Sequence, residues 1–249
     1  MLKMTRKTYK NPQIVEAVIE VHFVRPIDNA KIQDALSTHY DHCRREDLIS
    51  FTAQPGPEGV AVTRNDTGKF RLHYSLTKNL TAFVYSDRVS FHWQGKYPGW
   101  DVFQPEFKSF WIKLHEASSE ITSGRVGVRF INMVNEKTKD QDVGYWLKPS
   151  VDYPEGLLSS KEGFFYSIRR PIKPSRYIQL FIAEGDPKTN DGKKPLILDI
   201  DVQSDNVSKE KEALQAELLT LIEVLHDEVV DIFEKSISQN YLNLLNKEV

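Results

Sequence analysis

The sequence predicts an α+β protein built on antiparallel sheet, with helices packed on one face and a long helix near the C-terminus. Three observations carry this. From Ile14 to Phe23 the residues IVEAVIEVHF are apolar at every odd position and carry Glu16, Glu20 and His22 at even ones, the period of a half-buried strand. Later strands follow one another without a helix between each pair, which disfavours a doubly wound parallel sheet. Near the C-terminus Leu214, Leu218, Leu221, Ile222, Leu225, Val229, Ile232 and Phe233 form an apolar stripe with Glu and Lys elsewhere, the pattern of an amphipathic helix.

Each element can be justified in turn. In the first strand Val15, Ala17, Ile19, Val21 and Phe23 share one side, and Glu16, Glu20 and His22 share the other. Pro26 and Asp28 close it, and Asp28 is placed to cap a helix carrying Ile32, Ala35, Leu36 and Tyr40. The turn cluster from Gln54 to Gly59 precedes short strands at Val60–Thr63, Phe70–Leu76, Leu80–Tyr85 and Val89–Trp93. Between them lie Asp66-Thr67-Gly68, Lys78-Asn79 and Ser86-Asp87, with the length and chemistry of hairpin turns. After Tyr97-Pro98-Gly99-Trp100, the residues Phe103, Phe107, Phe110, Trp111, Leu114 and Ile121 recur at the spacing of a core-facing helix of about 20 residues.

Gly124 stops that helix, and Val126, Val128 and Phe130 alternate along a new strand. Residues 138–162 read as irregular, and strands return at Phe164–Arg169, Tyr177–Ala183 and Leu196–Val202. Ser208 is the expected cap of the final helix. The organisation is then a basic flexible tail (1–11) and two halves (12–122 and 125–245) packed as one unit. Both halves follow a similar β-α-β-β-β-α order, although their residues do not align.

Composition narrows the function. The chain has 249 residues, with 33 Lys and Arg against 35 Asp and Glu. A formal net charge of -2 argues against nucleic acid as the main partner, because that role needs a basic footprint. A single cysteine excludes an internal disulfide framework. There is no apolar run of membrane-spanning length and no signal-peptide pattern, so the expected location is the cytoplasm.

Strand parity supplies the candidate site. If the apolar residues face the helices, the other face collects Glu16, Glu20, His22, Arg71, His73, Arg88, Ser90, His92, Arg129 and Arg169, together with Asp199 and Asp201. Such a face is either a solvated surface of cross-strand ion pairs or a floor that binds an anionic or polar ligand, since guanidinium groups engage carboxylate and phosphate bidentately. Asp199 and Asp201 stand two apart on one strand, a spacing that can share a divalent cation such as Mg2+ or Mn2+. No Gly-rich phosphate loop accompanies them. His39, His42 and Cys43 lack a second ligand pair for zinc. Neither a G-x-S-x-G nor a cysteine-centred signature is present, which argues against acyl transfer.

Tyr9, the stretch from Asn11 to Phe23, Trp93 with Tyr97-Pro98, Val128-Arg129-Phe130-Ile131-Asn132, Leu198-Asp199-Ile200-Asp201, and Leu225-His226 with Phe233 together resemble a sporadically distributed bacterial family of about this length without an assigned activity. Two positions depart from its pattern: Gln13 stands where a second proline is common, and Phe130 where tyrosine is usual. The resemblance implies a two-part α+β unit and a patchy distribution of the kind seen for defence or toxin–antitoxin loci. It also adds Asn132 to the candidate ligand-binding set.

The function expected on these grounds is non-enzymatic binding or regulation through a protein partner, in a mobile defence or toxin–antitoxin-type system, with no cofactor. The C-terminal stripe is expected to pack on the chain's own sheet, with a homodimer through that helix as the leading alternative, and Trp93, Tyr97, Trp100, Tyr145 and Trp146 are candidate interface anchors. The alternative is a metal-dependent enzyme or sensor that binds a nucleotide or phosphate ligand on the polar sheet face.

Overall fold

The alternating strand at the start of the chain becomes the middle of a large sheet. A computed structural model describes residues 9–40, 42–56, 59–118, 120–135, 143–148, 165–185, 194–205 and 214–247. In chain order the elements are β1 (Ile14–Phe23), α1 (Asn29–Leu36), β2 (Cys43–Gly56), β3 (Gly59–Ser75), β4 (Leu80–Val84), β5 (Arg88–Gln94) and α2 (Trp100–Ala117). They are followed by β6 (Ser123–Val134), α3 (Val143–Trp146), β7 (Phe165–Lys173), β8 (Arg176–Glu184), β9 (Leu196–Ser204), α4 (Leu214–Ser236) and α5 (Gln239–Asn246). The fold is α+β. Nine strands form one antiparallel sheet in the order β2-β3-β4-β5-β1-β6-β9-β8-β7. β5 returns to pair with β1, β9 returns to pair with β6, and β1 and β6 join at the centre.

Alternation decides which face is buried. Ala17, Ile19 and Val21 of β1, Phe91 of β5, Val126 and Val128 of β6, and Ile200 and Val202 of β9 are fully buried on the helix side. Helix α2 lays Phe103, Phe107, Phe110, Trp111 and Leu114 on this surface. Phe91 sits beneath three of those rings, with centroids 5.5–5.7 Å away. Helix α4 covers β6 and β9 with Leu218, Ile222, Leu225 and Val229, all fully buried. Its apolar stripe thus packs on the chain's own sheet, the preferred of the two expectations, and these four residues are not left for the alternative, a helix-mediated homodimer. Trp100 and Trp146 are core residues at 6% and 5% exposure and not surface anchors.

Several local expectations hold. The Asp28 side chain accepts from the Ala30 N–H at 3.0 Å and caps α1, and Ile32 and Leu36 are its buried residues among those expected. Tyr40 lies beyond the helix and packs on Phe110; Ile121 likewise lies beyond α2 but is buried. The expected cap Ser208 and most of the stretch 138–162 lie outside the described residues.

Others are corrected. β2 opens with Cys43-Arg44-Arg45-Glu46-Asp47, a charged run of low strand propensity that is held extended by pairing with Phe70 to Tyr74 of β3. The expected turn at Asp66-Thr67-Gly68 is a bulge within β3, where the register moves from Asp47↔Phe70 to Ile49↔Asp66. The Thr67 hydroxyl stabilises it by donating to the Leu48 carbonyl and accepting from the Lys69 N–H. A glycine inside a strand marks a bulge as readily as a turn. The short helix α5, capped by Ser238, has no counterpart in the sequence reading.

One polar clamp ties the far edge of the sheet to a helix. Glu228 of α4 accepts from Lys173 and Arg176 through Oε1, at 2.5 and 2.6 Å, pinning the β7–β8 hairpin. We expect Glu228→Ala to lower unfolding free energy by about 1–3 kcal/mol, the range for hydrogen bonds to charged groups lowered at its bottom end because Lys173 is mostly exposed. Urea unfolding checks this, and an unchanged midpoint would show that the clamp contributes nothing.

Candidate functional site in the polar sheet face

On the face away from the helices, strand register sets charged side chains beside one another in rows. Opposite Glu20 of β1 stand Ser90 on β5 and Gly127 on β6, and Gly127 in turn faces Gln203 on β9. One step along, His92, Val18, Arg129 and Asp201 align across the same four strands. These rows form the floor of a cleft of about 250 Å3, walled by Arg71, Phe83 and Tyr85 on one side and by Arg125, Asp201 and Gln203 on the other. Gly127 keeps the floor low, since a Cβ there would meet the Asp201 carboxylate and the Gln203 side chain at 3.4 Å.

The charges are organised in pairs. Arg129 binds Asp199 through two parallel hydrogen bonds of 2.8 and 2.6 Å, the fork geometry favoured by guanidinium and carboxylate. Arg71 donates to Glu46 at 2.7 Å and to the Tyr85 hydroxyl at 2.9 Å. A hydrogen bond with His73, opposed by partial burial and reinforced by Arg71, holds the Glu46 carboxyl down at about 2. Glu20 has Arg88 at 3.5 Å and Arg125 at 4.0 Å, and His22 Nε2 lies 2.7 Å from it. Arg71 also covers the Phe83 ring and Arg88 covers that of Tyr85, at 4.1 and 3.9 Å, so neither ring offers a bare stacking face on that side.

A second chain of contacts runs along the β5 side of the floor. The Ser90 hydroxyl lies 2.6 Å from His92 Nε2, and His92 Nδ1 lies 2.8 Å from Glu16 Oε1. Gln94 donates to that same Glu16 oxygen at 3.0 Å. The hydrogen bond from His92, working against desolvation, keeps the Glu16 carboxyl below its ordinary range.

Asp201 behaves differently. Desolvation raises its carboxyl to about 6, opposed by the Gln203 hydrogen bond and Arg129 and reinforced by Asp199 and Glu20. A raised folded-state value means that the folded protein holds this proton more tightly than the unfolded chain. The associated stability is complete below the ordinary value of 3.8 and is lost as pH rises through about 6. We therefore expect Asp201→Asn to raise the urea midpoint at pH 8 and to have little effect at pH 4. Equal shifts at both pH values would contradict the assignment.

Of the residues singled out by parity, Glu20, Arg71, Ser90, His92, Arg129 and Asp201 line the cleft. Glu16, His22, His73, Arg88 and Asp199 bind residues of the cleft wall or the side chains that hold it. Asn132 is corrected: it is buried on the helix side, and its amide donates to the Leu198 carbonyl. Arg169 is exposed on β7 beside Tyr177, separated from Asp201 by Gln179 of β8, about 10 Å away at ordinary strand spacing. Both Asp199 oxygens are engaged by Arg129. Among the described residues no three His, Cys, Asp or Glu side chains are grouped to hold a metal ion.

Residues missed in the sequence are Arg125, Gly127, Gln203, Phe83, Tyr85 and Glu46. Parity could have found the first three, which continue the alternation of Arg129 and Asp201. Compared with known proteins, the chain matches no family model and no curated protein. Among the described residues no helix is long and apolar enough to cross a membrane.

Proposed function

We propose that the protein binds a small polar anion in the cleft of its open sheet face. The observation that carries this reading is the convergence of Arg71, Arg125 and Arg129 on a cavity of about 250 Å3 that also holds Glu20 and Asp201. The lining sets three guanidinium groups against two carboxylates, and Arg71 and Arg129 are already paired with Glu46 and Asp199, so the cleft favours a ligand of low charge over a polyphosphate, whose charge it cannot balance. The volume of about 250 Å3 lies just below the usual range for ligand sites, suiting a small metabolite. Covered rings at Phe83 and Tyr85 weigh against a stacked nucleobase. Several landmarks of the family resemblance, Glu16, Glu20, Arg129, Asp199 and Asp201, lie in or beside the cleft, which supports the reading. Of the interface anchors expected, Trp100 and Trp146 are core residues, Trp93 and Tyr97 are partly buried, and Tyr145 is exposed.

The test is thermal unfolding and titration calorimetry with succinate, inorganic phosphate and ATP, on wild type and Arg125→Gln. Arg125 is chosen because its side chain is 36% exposed, so its removal leaves little buried charge. Succinate or phosphate should raise the melting temperature, as any ligand of the folded state does, and Arg125→Gln should weaken the effect at least about tenfold, the equivalent of one charge-assisted hydrogen bond. No stabilisation by either anion, or equal stabilisation of the variant, would overturn the reading.

A further inference from the structure

The floor of the cleft carries an arrangement that the binding reading does not use. Ser90 and His92 stand two apart on β5 and so share its open face. Antiparallel pairing of β5 with β1 brings Glu16 to the diagonal position beside His92. The result is a hydroxyl 2.6 Å from one imidazole nitrogen and a carboxylate 2.8 Å from the other. These are the distances that define a nucleophile, its base and the group that orients the base. The imidazole is fixed from the side as well, because the Phe83 ring meets it edge to face with centroids 5.2 Å apart. Gln94 holds the same Glu16 oxygen that His92 touches, so the carboxylate is itself oriented. Ser90 and His92 both line the cleft, and so do three guanidinium groups.

We propose that Ser90, His92 and Glu16 form a serine-nucleophile triad and that the cleft hydrolyses small carboxylic esters bearing an anionic group. This rests on the anion-binding reading above for substrate capture. Ser90 Oγ attacks the ester carbonyl and its proton passes to His92 Nε2. Glu16 holds Nδ1–H, fixing the tautomer and stabilising the imidazolium without taking the proton. The tetrahedral oxyanion develops in a cleft whose cationic donors are Arg71, Arg125 and Arg129, and electrostatic stabilisation of that charge is usually the largest contribution to such a step. The C–O bond of the leaving alcohol breaks as His92 returns the proton to it, leaving an acyl group on Ser90. Water then attacks the acyl-enzyme with His92 as base, releasing the acid and regenerating Ser90. The net change is ester plus water to acid plus alcohol. No oxidant, reductant or metal enters the balance.

The experiment combines labelling and kinetics on the full chain. A small alkyl fluorophosphonate should modify Ser90, located by peptide mass spectrometry, and wild type should hydrolyse mono-4-nitrophenyl succinate faster than neutral 4-nitrophenyl acetate. Ser90→Ala and His92→Gln should each lower kcat/KM by about 10³-fold or more, as removal of a triad member does. Glu16 is a positioning residue. Glu16→Gln should lower kcat with little change in KM and shift the acid limb of the pH profile, an effect that a merely structural contact would not produce. An unmodified Ser90, or Ser90→Ala turnover at the wild-type rate, would overturn the triad. If succinate still stabilises the protein in that case, the binding reading stands alone; if it does not, both fall.

Discussion

Arg129→Ala is expected to destabilise the protein by about 2–3 kcal/mol, somewhat below the 3–5 kcal/mol of a fully buried broken pair, because one partner is half exposed. Arg129 is 45% exposed at its side chain, whereas Asp199 is 11% exposed. Truncating the arginine leaves a carboxylate with both oxygens turned from two strong hydrogen bonds to none, in the middle of a sheet that water enters only from one side. The cost comes from stranding that charge more than from losing an attraction. It follows that Arg129→Gln combined with Asp199→Asn should recover much of the loss, since no buried charge then remains. A double-mutant cycle by urea unfolding measures this, and additivity of the two single losses would show that the side chains act independently.

Phe91→Ala should cost more, about 3–5 kcal/mol, the usual range for emptying an aromatic site in a core. Phe91 has no exposed surface and is surrounded by Phe103, Phe107 and Phe110 of α2. All three are held on one helix that also carries Trp111 and Leu114 into the core, so the helix cannot settle into the void without disturbing its other contacts. Phe91→Leu keeps most of the volume and should cost roughly 1.5 kcal/mol or less. Denaturant midpoints for the pair test whether α2 is anchored here, and a loss below about 1 kcal/mol for the alanine variant would contradict the ring cluster as the main sheet–helix contact.

What could be read in advance follows from where the physics is local. Alternation in Ile14–Phe23 gave β1 to the residue, because a strand buried on one face must alternate. The same parity placed Glu20, Arg71, Arg129 and Asp201 together before any pairing was known. Parity cannot say which strand lies beside which. Glu46 was invisible because β2 opens with a charged run and is extended only by its neighbour β3. Asn132 was placed wrongly because it came from the family resemblance, whereas its own strand alternation with Phe130 and Val134 puts it on the helix side. The Ser90, His92 and Glu16 constellation spans two strands 76 residues apart at its widest hydrogen bond, so no local signature could announce it. The expectation against acyl transfer rested on the lack of such a signature.

The account depends on the open sheet face being the place where the protein meets its ligand. The direct test is an amide chemical-shift map of the isotopically labelled protein titrated with succinate. The account predicts that the largest changes fall on Val18, Glu20, Ser90, His92, Gly127, Arg129 and Asp201, with the outer surfaces of α2 and α4 unmoved. Changes centred on those helices, or none at millimolar succinate, would contradict it.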